Sequence, residues 1–426
     1  MEPGYTFDQA MREAGRCLLC HDAPCSAGCP AGTDPGAFIR KMRLRNIKGA
    51  IRTVKRNNIF GGVCGVLCPT KRLCEEKCTA TQIETPISIG RLQRFLVEHG
   101  WHIGFNPLEK AELSGGKVAV VGAGPSGLAC ASELAKAGLR AVVFEAKGEP
   151  GGVLKHLLPA HRMPARFLDK EIEEIKNLGV EIKCNAPVEG KDGIKNLFTG
   201  GFRAVYIASG TWKPLRLEIE NRQLEGIATA LDFLENKDAF LKKIKGKNVM
   251  VVGGGDAAMD VAETAKMAGG REVCLVYRRS FNQMPADLER RLAALACGVH
   301  FLVLLQPVQY LGAGGRVAGV KVVRNVLGAK DESGRPRPVA AAGSEHTLEA
   351  DFVVEALGFE PLETGAQLCP ELELTKNNLI VVDGKTGRTS MEKVFAGGDA
   401  VRGPSLVVNA VADGKRAAAK IIEIVM

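Results

Sequence analysis

Apolar positions along the chain follow two regimes. In residues 33–105 they recur at helical spacing. Phe38, Ile39 and Met42, then Ile47, Ile51 and Val54, predict two amphipathic helices with a break near Asn46. Thr33-Asp34-Pro35 marks the first start, a capping residue followed by proline in the first turn. Ser88 is the expected cap of a further helix, SIGRLQRFLVEHG. Residues 106–116, NPLEKAELSGG, carry turn formers without a period and read as a linker. From residue 117 onward the pattern becomes short apolar runs that close on glycine, several of them leading into Ala-rich helical stretches.

The first such run, Val118 to Val121, meets Gly122-x-Gly124-x-x-Gly127 and then a helix. A second strand, Arg140 to Phe144, ends in Glu145. This is a βαβ opening in which glycines allow a tight turn and let backbone approach a pyrophosphate. The helix N-terminus offers that group N–H donors, and the acid suits a ribose diol. With strand, helix and acid in register the signal is strong, where a lone glycine motif is weak. The pattern recurs as NVMVV, then Gly253-x-Gly255-x-x-Ala258, a helix, and EVCLVY ending in Arg278-Arg279. Guanidinium groups in place of the acid favour a 2′-phosphate, so the second loop leans towards NADP(H) and the first towards FAD. AVYIASG (204–210) and FVVEALG (352–358) are the expected closing strands of the two domains. VFAGGDAV sets Gly398 and Asp399 after a short strand, before a helix starting near Ser405. Gly152 joins these glycines as a candidate for close approach of a cofactor.

The fold class expected is a helical N-terminal domain followed by α/β, with two Rossmann-like nucleotide-binding domains, one inserted in the other. The expected boundaries are 1–105 for the helical domain and 106–116 for the linker. An FAD domain follows in two pieces, 117–235 and 350–426, around a nicotinamide domain at 236–349. The length of 426 residues accommodates this. Fifty glycines exceed the average of about 7% and fit several phosphate-approaching turns. No apolar run reaches the roughly 18 residues of a membrane span, and the first residues lack a secretory pattern. A soluble cytoplasmic protein is expected.

Charge changes the picture at one end. Of the net +9, residues 1–110 contribute +6, from 16 Lys/Arg against 10 Asp/Glu. Arg40, Lys41, Arg43, Arg45, Lys48, Arg52, Lys55 and Arg56 supply much of it. A nucleic-acid footprint would look similar, yet no nucleic-acid-binding signature accompanies the run. Cations near anionic clusters, a docking face or a solvated helix face account for it more simply.

The same segment holds eight of the 13 cysteines. They read Cys17-x2-Cys20-x4-Cys25-x3-Cys29-Pro30 and Cys64-x3-Cys68-Pro69-x4-Cys74-x3-Cys78. Such density says metal. Two zinc ions with four thiolates each would use the same residues. The loose spacings and the Cys-Pro endings favour two [4Fe–4S] clusters, which with a flavin make a redox chain. Cys130, Cys184, Cys274, Cys297 and Cys369 stand alone and read as buried small hydrophobes. No Cys-x-x-Cys lies beside either dinucleotide loop, which argues against thioredoxin-reductase-type disulfide chemistry.

RCLLCHDAPCSAGCP, TDPGAFI, VCGVLCPTKRLCEEKC and PISIGRLQRF resemble the N-terminal part of dihydropyrimidine dehydrogenase. In length and layout the chain is similar to the flavoprotein subunit of the bacterial NAD-dependent enzyme, within a group that includes the glutamate synthase small subunit. HDAPC and IGRLQRF are the most specific parts; the glutamate synthase small subunit departs at both.

The resemblance implies interleaved ligands. Cys17, Cys20, Cys25 and Cys78 would hold one cluster. Cys29, Cys68, Cys74 and the side-chain oxygen of Gln93 would hold the other, with Cys64 a non-ligand. Spacing alone would choose Cys64 and pass over Gln93. The resemblance also places FAD contacts at Arg162 and Asp399. Nicotinamide-nucleotide contacts fall at Asp256, Ala257, Arg278 and Arg279. Mammalian relatives carry a further basic residue where this chain has Pro285, and members use NADH or NADPH. The implied activity is NAD(P)H oxidation through FAD and the clusters, with no catalytic acid in this chain. The implied partner is an FMN-containing subunit that interconverts uracil or thymine with 5,6-dihydropyrimidines.

Overall fold

In the computed structural model, residues 3–331, 334–361 and 370–426 are described. The chain divides into two compact units: Met1–His156 with Ala160–Thr211 and Pro361–Met426, and Leu157–Pro159 with Trp212–Glu360. Cys369 lies outside the described residues.

The first unit begins with helices α1 (Phe7–Gly15), α2 (Pro35–Arg43), α3 (Ile47–Asn57), α4 (Gly61–Leu67) and α5 (Ile89–His102). Their starts follow the sequence. The Asp34 carboxylate accepts from Ala37 N ahead of Pro35, and the Asn46 side chain accepts from Gly49 N at the break between α2 and α3. Ser88 differs from expectation: its side chain does not cap α5, and its N–H donates instead to Glu13 Oε1 at 2.7 Å. Phe38, Ile39, Met42, Ile51 and Val54 bury against Leu92 and Leu96 of α5 to form this domain's core. Gly65 brings α4 and α5 into backbone contact, because a Cβ there would lie 2.7 Å from Arg94 N. That approach sets Cys64 of α4 near Gln93 of α5.

The same unit continues through β1 (Lys117–Val121), α6 (Pro125–Lys136), β2 (Arg140–Phe144), α7 (Ala165–Asn177), β3 (Glu181–Lys183) and β4 (Ala204–Ile207). The second unit holds β5 (Ile227–Thr229), β6 (Asn248–Val252), α8 (Asp256–Met267), β7 (Glu272–Tyr277) and β8 (His300–Val303). It continues with β9 (Leu305–Ala313), β10 (Arg316–Lys330), β11 (Pro336–Ala340), β12 (His346–Glu349) and β13 (Phe352–Glu355). The chain then returns to the first unit for β14 (Val394–Ala396) and the terminal helix α9 (Val407–Val425).

Each unit is built on a five-stranded parallel sheet. The first has the order β14-β4-β1-β2-β3 and the second β5-β13-β6-β7-β8. In both, the glycine loop follows the central strand, where a parallel doubly wound sheet places nucleotides. An antiparallel layer of β9, β10 and β12 accompanies the second sheet, and Tyr310, Val320 and Val322 pack with Met250 and Val353. Among the described residues no helix is long and apolar enough to cross a membrane.

The sequence boundaries at 235 and 350 need correction. β5 and β13 both belong to the second sheet, so residues 212–235 and 350–360 fall in the second unit. Val353 is fully buried between β5 and β6. A strand apolar on both faces needs both faces covered, and apolarity alone does not say in which of two sheets it lies.

Candidate functional site

The eight N-terminal cysteines converge on two cavities. Cys17, Cys20, Cys25 and Cys78 line the first, beneath exposed Leu18 and Leu19. Cys29, Cys64, Cys68, Cys74 and Gln93 line the second, together with Val408 of α9. Neither set is contiguous in sequence. Cys25 and Cys29, four residues apart, serve different cavities, and so do Cys74 and Cys78. The two sites are therefore neighbours joined by the same two loops.

The thiols in each set feel one another. Burial, then Cys78 and Cys17, push Cys25 up to about 11. Burial, with Cys78 and Cys20, also raises Cys17. In the second set burial, Glu75 and Cys29 push Cys74 up to about 12. Cys68 is raised well above the usual thiol range by a hydrogen bond to Cys64, by burial and by its neighbours Cys29 and Cys74. Burial and neighbouring sulfurs thus oppose ionisation of Cys17, Cys25, Cys68 and Cys74, a cost that a cationic centre offsets. This donor set fits iron–sulfur ligation. Backbone N–H groups already point at sulfur: Thr33 N at Cys29 Sγ (3.4 Å) and Ile87 N at Cys78 Sγ (3.5 Å).

Both Cys64 and Gln93 face the second cavity. Gln93 Nε2 donates to Gly61 O at 2.7 Å, which fixes the amide plane with its nitrogen engaged and its oxygen as the remaining acceptor. Cys64, on the same helix as Gly61, is 3% exposed and paired with Cys68.

Most of the basic run is exposed, but several of its members are engaged within the chain. Arg43 donates to Cys17 O (2.7 Å) and Arg40 to Cys20 O (3.3 Å), bracing the loop of the first cavity. Lys48 and Arg52 lie over the Phe105 ring. Lys55 is 2% exposed and reaches Glu171 and Glu174 of α7 at 2.8 and 2.6 Å. Sequence reasoning missed this triad, because Lys55 looks like one more member of a surface run.

At the first glycine loop, Gly127 starts α6 tightly: a Cβ there would lie 2.0 Å from Gly122 O. No atom comes within 4 Å of the space a Cβ on Gly124 would take, so this face is open to a ligand. Glu145 is buried at the end of β2, its carboxylate accepting from Ala123 N (2.7 Å) and Lys147 N (2.9 Å). Gly152 packs on the loop, 2.8 Å from Gly124 Cα at its Cβ position, and Gly398 approaches Ser126 equally closely. Asp399 opens the short helix Asp399–Arg402 and accepts from Ser405 N at 3.2 Å. Burial raises its carboxyl to about 7, opposed by the Ser405 N–H. Gly122, Gly124, Gly127, Glu145, Gly152, Gly398 and Asp399 thus gather at one end of the sheet. Arg162 is half-buried on the turn before α7. Sequence reasoning missed Asp413 of α9, which accepts from Gly398 N and from Arg402 and so shapes this turn.

At the second loop, Gly253 meets Ala356 O and Gly255 caps α8 with open space over it. Asp256 begins α8, and its Oδ1 is buried without a hydrogen-bond partner; Ala257 follows. An unsatisfied acceptor at a nucleotide loop fits a ligand donor. The two arginines after β7 diverge. Arg278 is exposed, whereas Arg279 is buried, donating to Pro336 O and Asp331 Oδ2, both at 2.7 Å. Arg279 thus spends two of its five donors on the protein, whereas Arg278 stands exposed.

Comparison with known proteins agrees with this arrangement. Residues 1–104 match the family described as dihydropyrimidine dehydrogenase domain II, 4Fe-4S cluster, and residues 116–414 match pyridine nucleotide-disulphide oxidoreductase. The chain is 37% identical to the NAD-dependent dihydropyrimidine dehydrogenase subunit PreT of Salmonella typhimurium, over 99% of this chain and 95% of that one. It is 35% identical to the glutamate synthase [NADPH] small chain of Escherichia coli, over 97% and 91%. The solved structure of Mycobacterium tuberculosis FprA in complex with NADPH shares the fold, with a TM-score of 0.62 at 19% identity, over 73% of this chain and 84% of that one. The chain belongs to the pyridine nucleotide-disulphide oxidoreductase family, in the iron–sulfur branch that joins this fold to a 4Fe-4S domain of the dihydropyrimidine dehydrogenase kind.

Proposed function

We propose that this oxidoreductase carries electrons between NAD(P)H and an FMN-containing partner subunit that interconverts uracil or thymine with the 5,6-dihydropyrimidines. When bound, nicotinamide, FAD and two [4Fe–4S] clusters supply the conversion of a hydride into single electrons. The chain's residues bind and align. Gly122, Gly124, Gly127, Glu145, Gly152, Gly398, Asp399 and Arg162 hold FAD. Gly253, Gly255, Asp256, Ala257 and Arg278 hold the nicotinamide nucleotide. Cys17, Cys20, Cys25 and Cys78 hold one cluster, and Cys29, Cys68, Cys74 and Gln93 the other. Hydride transfer depends on alignment more than on proton transfer, and no acid is assigned to it.

One observation carries the reading. The helix α9 that packs on the FAD loop through Gly414, whose Cβ would meet Ser126 O, also contributes Val408 to the second cysteine cavity. A single element thus spans from the flavin-binding turn to the cluster domain. The twelve described cysteines that are free suit the reducing cytoplasm.

The test is co-purification from the native host with the cofactors intact. The expected result is one further subunit bearing FMN, and NAD(P)H-dependent reduction of uracil or thymine by the complex. A bound glutaminase-bearing chain with glutamate formation would replace this reading by its nearest rival, which the similarity to the glutamate synthase small chain supports. Arg278→Glu is expected to lower the kcat/KM ratio of NADPH to NADH by roughly 10–100-fold, the value of a hydrogen bond to a charged group (about 1.5–3 kcal/mol). An unchanged ratio would remove Arg278 from the nucleotide site.

A further inference from the structure

A cation from α9 approaches the second cysteine cavity. Lys415 lies seven residues after Val408 on α9, hence on the same helix face. Val408 lines the cavity. Lys415 Nζ reaches out of the FAD-binding domain into the cysteine domain, donating to Ala31 O at 2.5 Å and to Asn57 O. Ala31 is two residues from Cys29, on the turn whose Thr33 N–H points at Cys29 Sγ. Asn57 O ends α3, the helix before α4 and its Cys64.

The partners of this half-buried ammonium are neutral carbonyls. The carboxylate whose field reaches it, Glu133, is paired with Lys136 at 2.8 Å. Burial pulls the Lys415 pKa down, while Glu133 and the Cys29 sulfur pull it back up. The first cavity is braced differently. Arg40 lines it and, with Arg43, donates to its loop carbonyls, but these contacts are exposed to solvent, where charge is screened.

We propose that Lys415 is a positioning residue of the second cluster, whose positive charge raises that cluster's reduction potential and so draws electrons from the flavin side towards it. This rests on the reading of the second cavity as a cluster site. A fixed cation favours the reduced, more negative state of a nearby centre, and a partly buried one acts with less screening. The charge comes from the FAD-binding domain, so the second cluster is tuned only while the two domains are docked through α9.

The experiment is a redox titration of the cofactor-loaded full chain, followed by electron paramagnetic resonance, on Lys415→Met, Lys415→Gln and Lys415→Arg. In both neutral variants the reduced-to-oxidised ratio of one cluster is expected to fall on the order of tenfold at a given potential, equal to about 59 mV for one electron. The other cluster stays unmoved, and Lys415→Arg remains near the parent. Gln retains a donor for the carbonyls, so a Gln variant at the parent potential would show that hydrogen bonding and not charge acts, and would overturn the proposal. Full iron content with both waves unmoved in Met would overturn it too, as would cluster loss in all three variants, Arg included. Parent protein without iron and acid-labile sulfide would instead end the cluster reading itself.

Discussion

Lys55→Met is expected to destabilise the first unit by about 3–5 kcal/mol, the usual cost of leaving buried charge without its partner. Glu171 is fully buried, and its carboxylate accepts from Lys55 Nζ, Gly62 N and Val63 N at 2.8, 2.7 and 3.1 Å. Glu174 accepts from the same ammonium and from Trp101 Nε1 at 2.6 and 2.8 Å. Every donor here comes from the cysteine domain, and both acceptors sit on α7 of the FAD-binding domain. The triad is thus a fully bonded junction rather than a surface pair. Burial works against the Lys55 charge, but the two carboxylates outweigh it and hold its pKa above the ordinary value. Burial, opposed by Lys55, raises Glu171. Removing the ammonium leaves burial and Glu174 to raise it further.

The pH dependence follows from that direction. A carboxyl whose folded pKa lies above its unfolded value penalises the folded state once it is ionised. The penalty is absent below the unfolded value of 4.5 and grows as pH rises through the raised folded pKa. The Lys55→Met deficit should therefore be largest near neutrality and shrink towards pH 5. Thermal melts of variant and parent across pH 5–8 check this. A deficit below about 1 kcal/mol at neutral pH, the level of a surface ion pair, would mean the triad contributes little.

Much of this was legible in the sequence where one local rule decides. The helix starts at Asp34 and Asn46 follow from capping chemistry within three residues. The strands Arg140–Phe144 and Glu272–Tyr277 follow from apolar runs bounded by glycine turns and charges. What escaped depends on distant partners. Arg279 and Arg278 are adjacent and alike in sequence, and the partners that hold Arg279 inward, Asp331 and Pro336 O, lie 52 and 57 positions away. Lys415 meets Ala31 across 384 positions, and no periodicity marks a helix face that ends in a charge. The strand Phe352–Glu355 has the right character for either sheet, so its place is set by pairing alone. The interleaving of Cys25 with Cys78 and of Cys29 with Cys74 is invisible to spacing, because the chain crosses between cavities within four residues. The resemblance to a known family carried that pairing, and it also raised the choice between Cys64 and Gln93, which both line the second cavity.

Cys74→Ser is expected to abolish electron delivery to the partner while sparing NAD(P)H oxidation by dyes that take electrons from the flavin. Cys74 is buried, lines the second cavity and feels both Cys29 of its own set and Cys25 of the next. It therefore stands where the two sites adjoin. A serine there supplies a harder, poorer ligand for iron, so about half of the iron of two four-iron clusters should be lost. The glycine loops, Glu145 and Asp399 are untouched, so FAD content and dye reduction should stay at the parent level. The outcome separates an electron relay from a structural metal, since a zinc module would lose folding before it lost any one activity. The same measurement settles the fourth ligand. Cys64→Ser should keep the full complement of iron, whereas Gln93→Ala should change the spectrum and iron content of one cluster. A neutral oxygen in place of a thiolate leaves that centre one negative charge fewer, which raises its potential in the same sense as Lys415. Iron loss in Cys64→Ser with Gln93→Ala unaffected would reverse the assignment and make the second centre an all-cysteine one.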